Sequence, residues 1–318
     1  MPAQPPILGV YLSATADLDA LYGEALRACA TDVVLRRPPE IDRPEDVRFA
    51  ICWEPGEGAF APYPNLGLAM SVAAGVDALL AHPGVPGDAA IARVRDPHQA
   101  ELMAGYAVHE VLHYERGFPE MAANARQARW APLRMRAPAS VQIAVLGHGT
   151  MGRAVVTGLR AVGFSVRVAC RSEPAEQLPG VAYLSGPDAA ARAAEGAQYL
   201  VNVLPLTAET ENVLNAELFA RMAPGARLVQ IGRGEHLVEG DLEAALDSGQ
   251  LAAATLDVFR EEPLPPEHRF WQDARLRITP HVASDSLPEV VAEQVVETAR
   301  ALRDGQPMAY AVDRARGY

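Results

Sequence analysis

Apolar positions in this chain fall into short runs, separated by longer stretches in which they recur every three or four residues. Ile7 to Leu12, Val33 to Leu35 and Phe49 to Trp53 read as strands, with helix-like stretches between them. A second series starts at Val141-Gln142-Ile143-Ala144-Val145-Leu146 and continues through Phe164 to Ala169 and Arg227 to Ile231. Leu287 to Arg303 has helical spacing, with Pro288 near its start and Gly305 past its end. Strands alternating with helices predict parallel sheets, so two α/β units are expected, each doubly wound and Rossmann-like or flavodoxin-like. No sequence repeat or low-complexity linker interrupts the pattern.

The second series carries a phosphate-binding turn. Its first strand feeds directly into Gly147-His148-Gly149-Thr150-Met151-Gly152, then a helix-like stretch from Arg153 to Val162, a stop at Gly163 and the next strand. Strand, G-x-G-x-x-G, helix and strand within about 30 residues make the context that gives this pattern its meaning. Gly147 permits the tight turn, Gly149 lets the backbone approach a pyrophosphate, and Gly152 allows close helix–strand packing. The helix N-terminus attracts the phosphate charge. His148, an uncommon residue in such a loop, has no role assigned from sequence.

The end of the following strand bears on which dinucleotide binds. An NAD site usually places Asp or Glu there to hold the ribose 2′-hydroxyl. Here the strand runs Val168-Ala169-Cys170 into Arg171-Ser172, and Glu173 falls beyond its end. A guanidinium pairs with a 2′-phosphate that an acid would repel. NADPH is therefore the expected cofactor, with NADH as the alternative.

Three polar residues in the last third sit at or just beyond expected strand ends. Arg233 lies in Ile231-Gly232-Arg233-Gly234, Glu262 closes Leu256-Asp257-Val258-Phe259-Arg260-Glu261-Glu262-Pro263, and His281 ends Ile278-Thr279-Pro280-His281. That edge of an open α/β sheet is where ligands bind. A cation, a carboxylate and an imidazole gathered there suit reduction of a carboxylate-bearing substrate. The Arg polarises it, the His moves a proton and the Glu orients the His, favouring its charged form. Taken singly, such residues are more often structural than catalytic; their joint placement in a dinucleotide-binding chain carries the reading.

Taken in order, these motifs resemble the D-2-hydroxyacid dehydrogenase family over nearly the full length. Carrying the resemblance are Ala73-Ala74-Gly75-Val76-Asp77, the glycine fingerprint, Leu204-Pro205-Leu206-Thr207 with Thr210, the Arg-Gly and Glu-Pro motifs, Thr279-Pro280-His281 and the closing Val312-Asp313-Arg314-Ala315-Arg316-Gly317-Tyr318. The resemblance implies that Arg233 binds the substrate carboxylate and keto oxygen, His281 delivers the proton and Glu262 bonds His281. Asp257 would hold the nicotinamide carboxamide, and backbone N–H groups of Ala74 and Gly75 the substrate carboxylate. Gly147, Gly149, Thr150, Met151, Gly152, Arg171, Ser172, Leu204, Pro205, Thr207, Thr210 and Ile231 would line the cofactor site. Gly232 departs from the bulkier residue common before the Arg, which puts local rigidity in question.

By the same resemblance the domains are residues 1–100 with 284–318 for substrate and 101–283 for the dinucleotide, with the active site in the cleft between them. The implied activity is NADPH-dependent reduction of small 2-keto acids, glyoxylate to glycolate and hydroxypyruvate to D-glycerate. A dehydrogenase for another D-2-hydroxy acid is one alternative. A dinucleotide-sensing interaction protein on the same fold is another, since such sensors can keep the catalytic set. Trp53, at a strand end in the first unit, either walls the substrate pocket or belongs to the core. Trp130, in Arg126-Gln127-Ala128-Arg129-Trp130-Ala131-Pro132, lies where relatives reach into a neighbouring subunit, so a homodimer is expected.

Composition narrows the remaining classes. The net charge of −12 disfavours nucleic acid as a partner. Every basic residue is Arg, which excludes a Schiff-base lysine and a P-loop lysine. No stretch is long enough to span a membrane, and Met1 to Pro6 lack the features of a signal peptide. Three widely spaced cysteines, Cys29, Cys52 and Cys170, suit a reducing cytoplasm. His109-Glu110-Val111-Leu112-His113 matches the helical zinc-peptidase signature, but no third ligand completes it, and no metal site is expected.

Overall fold

The computed structural model describes residues 5–314, so Met1 to Gln4 and the last four residues of the closing motif, Ala315 to Tyr318, lie outside the described residues. The chain divides into two compact units, one running up to His98 and resuming at Asp285, the other spanning Gln99–Ser284.

In the first unit, β1 (Ile7–Ser13), β2 (Val33–Arg36), β3 (Val47–Trp53), β4 (Leu68–Ser71) and β5 (Ala90–Arg93) form a parallel sheet in the order β2-β1-β3-β4-β5. This is the flavodoxin-like doubly wound order. Alternate strand residues face opposite sides. Tyr11, Phe49 and Ile51 pack with helices α1 (Leu18–Cys29) and α9 (Pro288–Arg303), while Val10, Leu12, Ala50 and Cys52 pack with Phe60, Tyr63 and Leu79 of α2 (Asp77–Ala81) and the loop before it. Asp17 caps α1 by accepting the Ala20 amide at 3.1 Å. α9 starts on Pro288, and Arg300 and Arg303 both pair with Asp32 just before β2, holding that carboxyl far below its usual range. Chain 285–314 thus completes a unit broken off at His98, nearly two hundred residues earlier.

The second unit opens with α3 (Pro97–Glu115), whose first two residues precede the division, and α4 (Phe118–Arg126). Its seven parallel strands are β6 (Gln142–Leu146), β7 (Ser165–Cys170), β8 (Val181–Ser185), β9 (Tyr199–Asn202), β10 (Ala226–Gln230), β11 (Leu251–Leu256) and β12 (Leu276–Ile278). They are ordered β12-β11-β10-β9-β6-β7-β8. Counted from β6, this is the 3-2-1-4-5-6 Rossmann order with a seventh strand added, and its switch point falls between β6 and β9. Ile143 and Val145 pack under α5 (Thr150–Val162) and α3, while Ala144 and Leu146 face α6 (Ala189–Ala194), α7 (Ala216–Arg221) and α8 (Glu239–Asp247). Among the described residues no helix is long and apolar enough to cross a membrane.

Candidate active site

Trp130 apart, the sequence-predicted site residues of the second unit lie on the C-terminal edge of its sheet or in the segments that leave it. Following the strand order, His281 comes after β12, Asp257 and Glu262 after β11 and Arg233 after β10. Leu204 to Thr207 follow β9, the glycine loop follows β6, and Arg171 follows β7. At about 4.8 Å per strand, His281 and Arg171 stand roughly 24 Å apart along this edge. That is a platform for an elongated ligand, with acid–base groups at one end and an exposed cation at the other.

The glycine loop is shaped for close approach. A Cβ on Gly152 would lie 2.2 Å from the Gly147 carbonyl oxygen, so only glycine lets α5 start against β6. Around Gly149, by contrast, a Cβ would meet nothing within 4 Å, and this residue leaves the α5 N-terminus without a side-chain cap. Open space before uncapped helix amides is what a pyrophosphate requires. Thr150 and Met151 form the first turn of that helix. His148 packs edge-on against Tyr183, ring centroids 4.9 Å apart. Burial and then Arg153 hold it below the ordinary histidine value, so it adds no positive charge to the loop at neutral pH. After β7, Arg171 and Ser172 are exposed, while the Glu173 carboxylate accepts a hydrogen bond from Gln177 at 2.9 Å.

Arg233 is held by a buried polar network that the sequence did not announce. The Arg233 amide donates to His236 Nδ1 at 3.1 Å, and Gln230 Nε2 donates to the Arg233 carbonyl at 2.7 Å. Asn202 Nδ2 lies 2.7 Å from Gln230 Oε1 and 2.9 Å from His236 Nδ1. Because Nδ1 accepts, the His236 proton sits on Nε2, which donates to the Pro205 carbonyl at 3.3 Å. Asn202, Gln230 and His236 are fully buried, so the network ties the β9 loop to the β10 loop. It also accounts for Gly232, where a Cβ would sit 2.8 Å from Asn202 Nδ2 and 2.9 Å from His236 Nδ1. Local rigidity here comes from hydrogen bonds. Thr210 similarly holds its own loop, donating to the Pro205 carbonyl at 2.7 Å and accepting from the Thr207 amide at 2.9 Å.

His281 and Glu262 meet directly, Nδ1 to Oε2 at 2.7 Å. Glu262 is fixed from its other side, where Oε1 accepts the Phe259 amide at 2.8 Å. Burial would raise the Glu262 carboxyl, but the His281 bond and charge, the Phe259 amide and the Arg233 charge outweigh it and hold it below the usual carboxylate range. His281 itself has φ +54°, a left-handed conformation uncommon for a side-chain-bearing residue. Asp257 imposes it. Its carboxylate accepts Thr279 Oγ1 at 2.6 Å and the Val282 and Ala283 amides at 2.9 Å each, and its carbonyl accepts the His281 amide at 2.9 Å. Burial, as the largest influence, raises the Asp257 carboxyl above its usual value.

The metal-like motif has a structural occupation. Glu110 is buried in α3, with Thr255 Oγ1 on one carboxylate oxygen at 2.7 Å and Arg277 Nε on the other at 3.0 Å. Among the described residues no group of three His, Cys, Asp or Glu is placed to hold a metal ion. Trp130 is 98% exposed in the segment after α4, within its own unit. In the first unit, Trp53 is half-buried at the end of β3, and Ala74 and Gly75 lie half-buried in the loop after β4.

Residues 108–283 match the family described as D-isomer specific 2-hydroxyacid dehydrogenase, NAD binding domain. Over 285 residues the chain is 42% identical to glyoxylate/hydroxypyruvate reductase A of Serratia proteamaculans (strain 568), covering 88% of this chain and 90% of that protein. Two solved structures share the full architecture. The D-isomer specific 2-hydroxyacid dehydrogenase from Xanthobacter autotrophicus Py2, in complex with NADPH and MES, has a TM-score of 0.88 and 37% identity, covering 98% of this chain and all of that one. The NADPH-dependent glyoxylate/hydroxypyruvate reductase from Sinorhizobium meliloti, in complex with NADP and sulfate, has a TM-score of 0.89 and 28% identity, covering 99% of this chain and all of that one. The chain belongs to the D-isomer specific 2-hydroxyacid dehydrogenase family and is an NAD(P)-dependent oxidoreductase.

Proposed function

We propose that this protein reduces small 2-keto acids with NADPH, glyoxylate and hydroxypyruvate foremost, giving glycolate and D-glycerate. In this reading residues 1–100 and 284–318 bind substrate, and residues 101–283 bind the dinucleotide. The observation that carries it is the 2.7 Å Glu262–His281 pair at the same sheet edge as Arg233, a charge partner, a proton carrier and a cation on three adjacent strands. NADPH fits the residues present, with open space at Gly149, uncapped α5 amides for the pyrophosphate and the Arg171-Ser172 pair for a 2′-phosphate. When bound, it supplies the hydride to the 2-keto carbon.

The chain's own residues do the rest. Arg233 binds the substrate carboxylate and stabilises the negative charge that grows on the keto oxygen. His281, with Nδ1 committed to Glu262, gives its proton from Nε2 to that oxygen and completes the hydroxyl. Leu204, Pro205, Thr207, Thr210 and Ile231 line the cofactor's path, and Asp257 serves its nicotinamide end. Ala74 and Gly75 contribute backbone N–H groups to the substrate carboxylate, and Trp53 walls its pocket. The protein would act as a cytoplasmic homodimer with Trp130 at the subunit interface or against the neighbouring substrate; three free cysteines suit that compartment, and light scattering on the purified protein reads the mass.

The test follows nicotinamide absorbance with NADPH or NADH and glyoxylate, hydroxypyruvate, pyruvate or phenylpyruvate. Rapid oxidation of NADPH by glyoxylate and hydroxypyruvate is expected; tight dinucleotide binding with no turnover of any would overturn the reading. In the same assay Arg171→Ala is expected to weaken NADPH roughly ten- to a hundredfold, the worth of one charge-assisted phosphate contact, and to leave NADH unchanged. Equal loss with both cofactors would remove Arg171 from the 2′-phosphate.

Glu262→Gln tests the pair through pH. Reduction takes a proton from His281, so the rate is expected to fall at alkaline pH. A Gln can still accept the Phe259 amide, but it then turns its NH2 toward His281 Nδ1, which must be unprotonated to accept. The alkaline limb of kcat is expected to move to lower pH. Glu262 is held below the usual carboxylate range, so the pair's contribution to stability is present above the ordinary Glu value and is lost only as pH falls through the lower folded one. The folded wild type should therefore show no Glu262 titration between pH 5 and 7, an expectation for the pH profile of Tm. An unmoved alkaline limb in Glu262→Gln would dissociate Glu262 from the proton donor.

A further inference from the structure

The first unit holds a cation that the reaction outlined above does not use. β5 ends on Arg93, which pairs in register with Ser71 at the end of β4, beside Cys52, one residue before the end of β3. Arg93 is half-buried, yet among the described residues no carboxylate pairs with it. Its Nε is buried with no hydrogen-bond partner, and the neighbouring charge is another cation, Arg95. Burial and then Arg95 both press the guanidinium below its ordinary value. In a chain with 40 acidic and 28 basic residues, at least eleven other arginines have found a carboxylate. A half-buried charge without a counterion is costly, and a site that receives an anion is one way to satisfy it.

The one side-chain bond Arg93 makes among the described residues says how it acts. Nη1 donates to the Ala74 carbonyl at 3.0 Å. The rest of that loop is fixed too: the Val72 amide donates to the Cys52 carbonyl, the Ala73 amide to Ser71 Oγ, and Ser286 Oγ to the Val72 carbonyl. The Ala74–Gly75 peptide is trans, so tying its carbonyl to the guanidinium fixes the Gly75 N–H on the opposite side. A cation on the carbonyl also polarises the peptide and makes that N–H a better donor.

We infer that Arg93 is a positioning residue for a small carboxylate: it orients and polarises the Ala74–Gly75 peptide so that the Gly75 N–H receives the anion, whose charge offsets the guanidinium. This rests on the reductase reading for the identity of the anion, a 2-keto acid.

The test compares wild type with Arg93→Met and Arg93→Lys. Arg93→Met is expected to raise KM for glyoxylate and hydroxypyruvate roughly tenfold or more, while kcat and NADPH affinity stay within about threefold of wild type. Arg93→Lys, which keeps the charge but not the planar fork, should fall between. A variant that lowers Tm but leaves KM unchanged would reduce Arg93 to a structural role and overturn the inference. If Arg93→Met does not fold, an unchanged KM in Arg93→Lys overturns it equally. Binding of oxalate to the NADPH-loaded protein, read as a rise in Tm, needs no turnover. Oxalate stabilising wild type but not Arg93→Met, with no keto acid reduced, would keep the inference and sink the reductase reading. No oxalate stabilisation of the wild type overturns the inference.

Discussion

Arg233→Ala and His281→Ala are each expected to lower kcat for glyoxylate reduction by about 10²–10³, the usual cost of removing one preorganised group that meets charge in the transition state. Arg233→Ala keeps the backbone bonds of its loop, from Gln230 Nε2 to the Arg233 carbonyl and from the Arg233 amide to His236 Nδ1, and gives up the guanidinium's own bond to the Gly232 carbonyl. Loss of activity can then be assigned to the side chain. Arg233→Ala should also raise KM, because in the proposed mechanism Arg233 binds the substrate carboxylate before the reaction as well as the oxyanion during it. Arg233→Lys should recover binding more than turnover, since an ammonium supplies charge without a planar fork. His281→Ala should depress kcat and leave NADPH affinity intact, and the remaining rate should lose its alkaline limb. Steady-state kinetics across pH, with folding checked by Tm, measures all of this. Near-normal kcat in either alanine variant would remove that residue from the chemistry.

The placement of the proposed catalytic residues was legible because each ends or follows an apolar run, and a run that stops on a charged residue marks a strand end. The glycine fingerprint was legible for a second reason: its two steric demands, a tight turn at Gly147 and helix contact at Gly152, admit one residue type. Strands β4, β5, β8 and β9 do not stand out in the sequence pattern. β4 is only Leu68–Ser71, its four residues buried without alternation, and β8 is a half-buried edge strand with weak patterning. α5 starts at Thr150, three residues before the Arg153 start that the pattern predicts, because Thr150 to Gly152 serve both the fingerprint and the first helical turn. Harder still were Asn202, Gln230 and His236. Asn202 ends the apolar run Tyr199 to Val201 and Gln230 interrupts Leu228 to Ile231, a faint sign of buried partners, while His236 follows no apolar run. Their bonds span 28 to 34 positions in sequence, and pairings over that distance leave no periodic trace. The same holds for Arg93, whose significance is the absence of a counterion in three dimensions.

Gly234→Ala is expected to damage the site as severely as loss of a catalytic side chain, although Gly234 carries no chemistry. A Cβ there would lie 1.9 Å from the Phe259 carbonyl carbon, 2.1 Å from its oxygen and 2.4 Å from the Arg260 nitrogen. All three are backbone atoms, so no rotamer change relieves the overlap, and one of the two loops must move. Arg233 is the preceding residue on one loop. On the other, Phe259 donates its amide to Glu262, which holds His281. A single methyl group thus pushes Arg233 and the Glu262–His281 pair apart. Overpacking of this kind costs about 1–3 kcal/mol, which in a domain of this size lowers Tm by roughly 2–10 °C. Displacement of either group by about 1 Å is enough for a hundredfold loss of kcat. The comparison that makes the result interpretable is Gly240→Ala, on the nearby helix α8, where a Cβ meets nothing within 4 Å and helix propensity favours the change. Wild-type kcat and Tm in Gly234→Ala would mean that the two loops are not in contact as described. Lowered Tm with normal kcat would mean that they are, but that Glu262 and His281 do not depend on it. Lowered kcat beside an unaffected Gly240→Ala is the outcome expected of a site whose precision comes from two loops touching at a glycine.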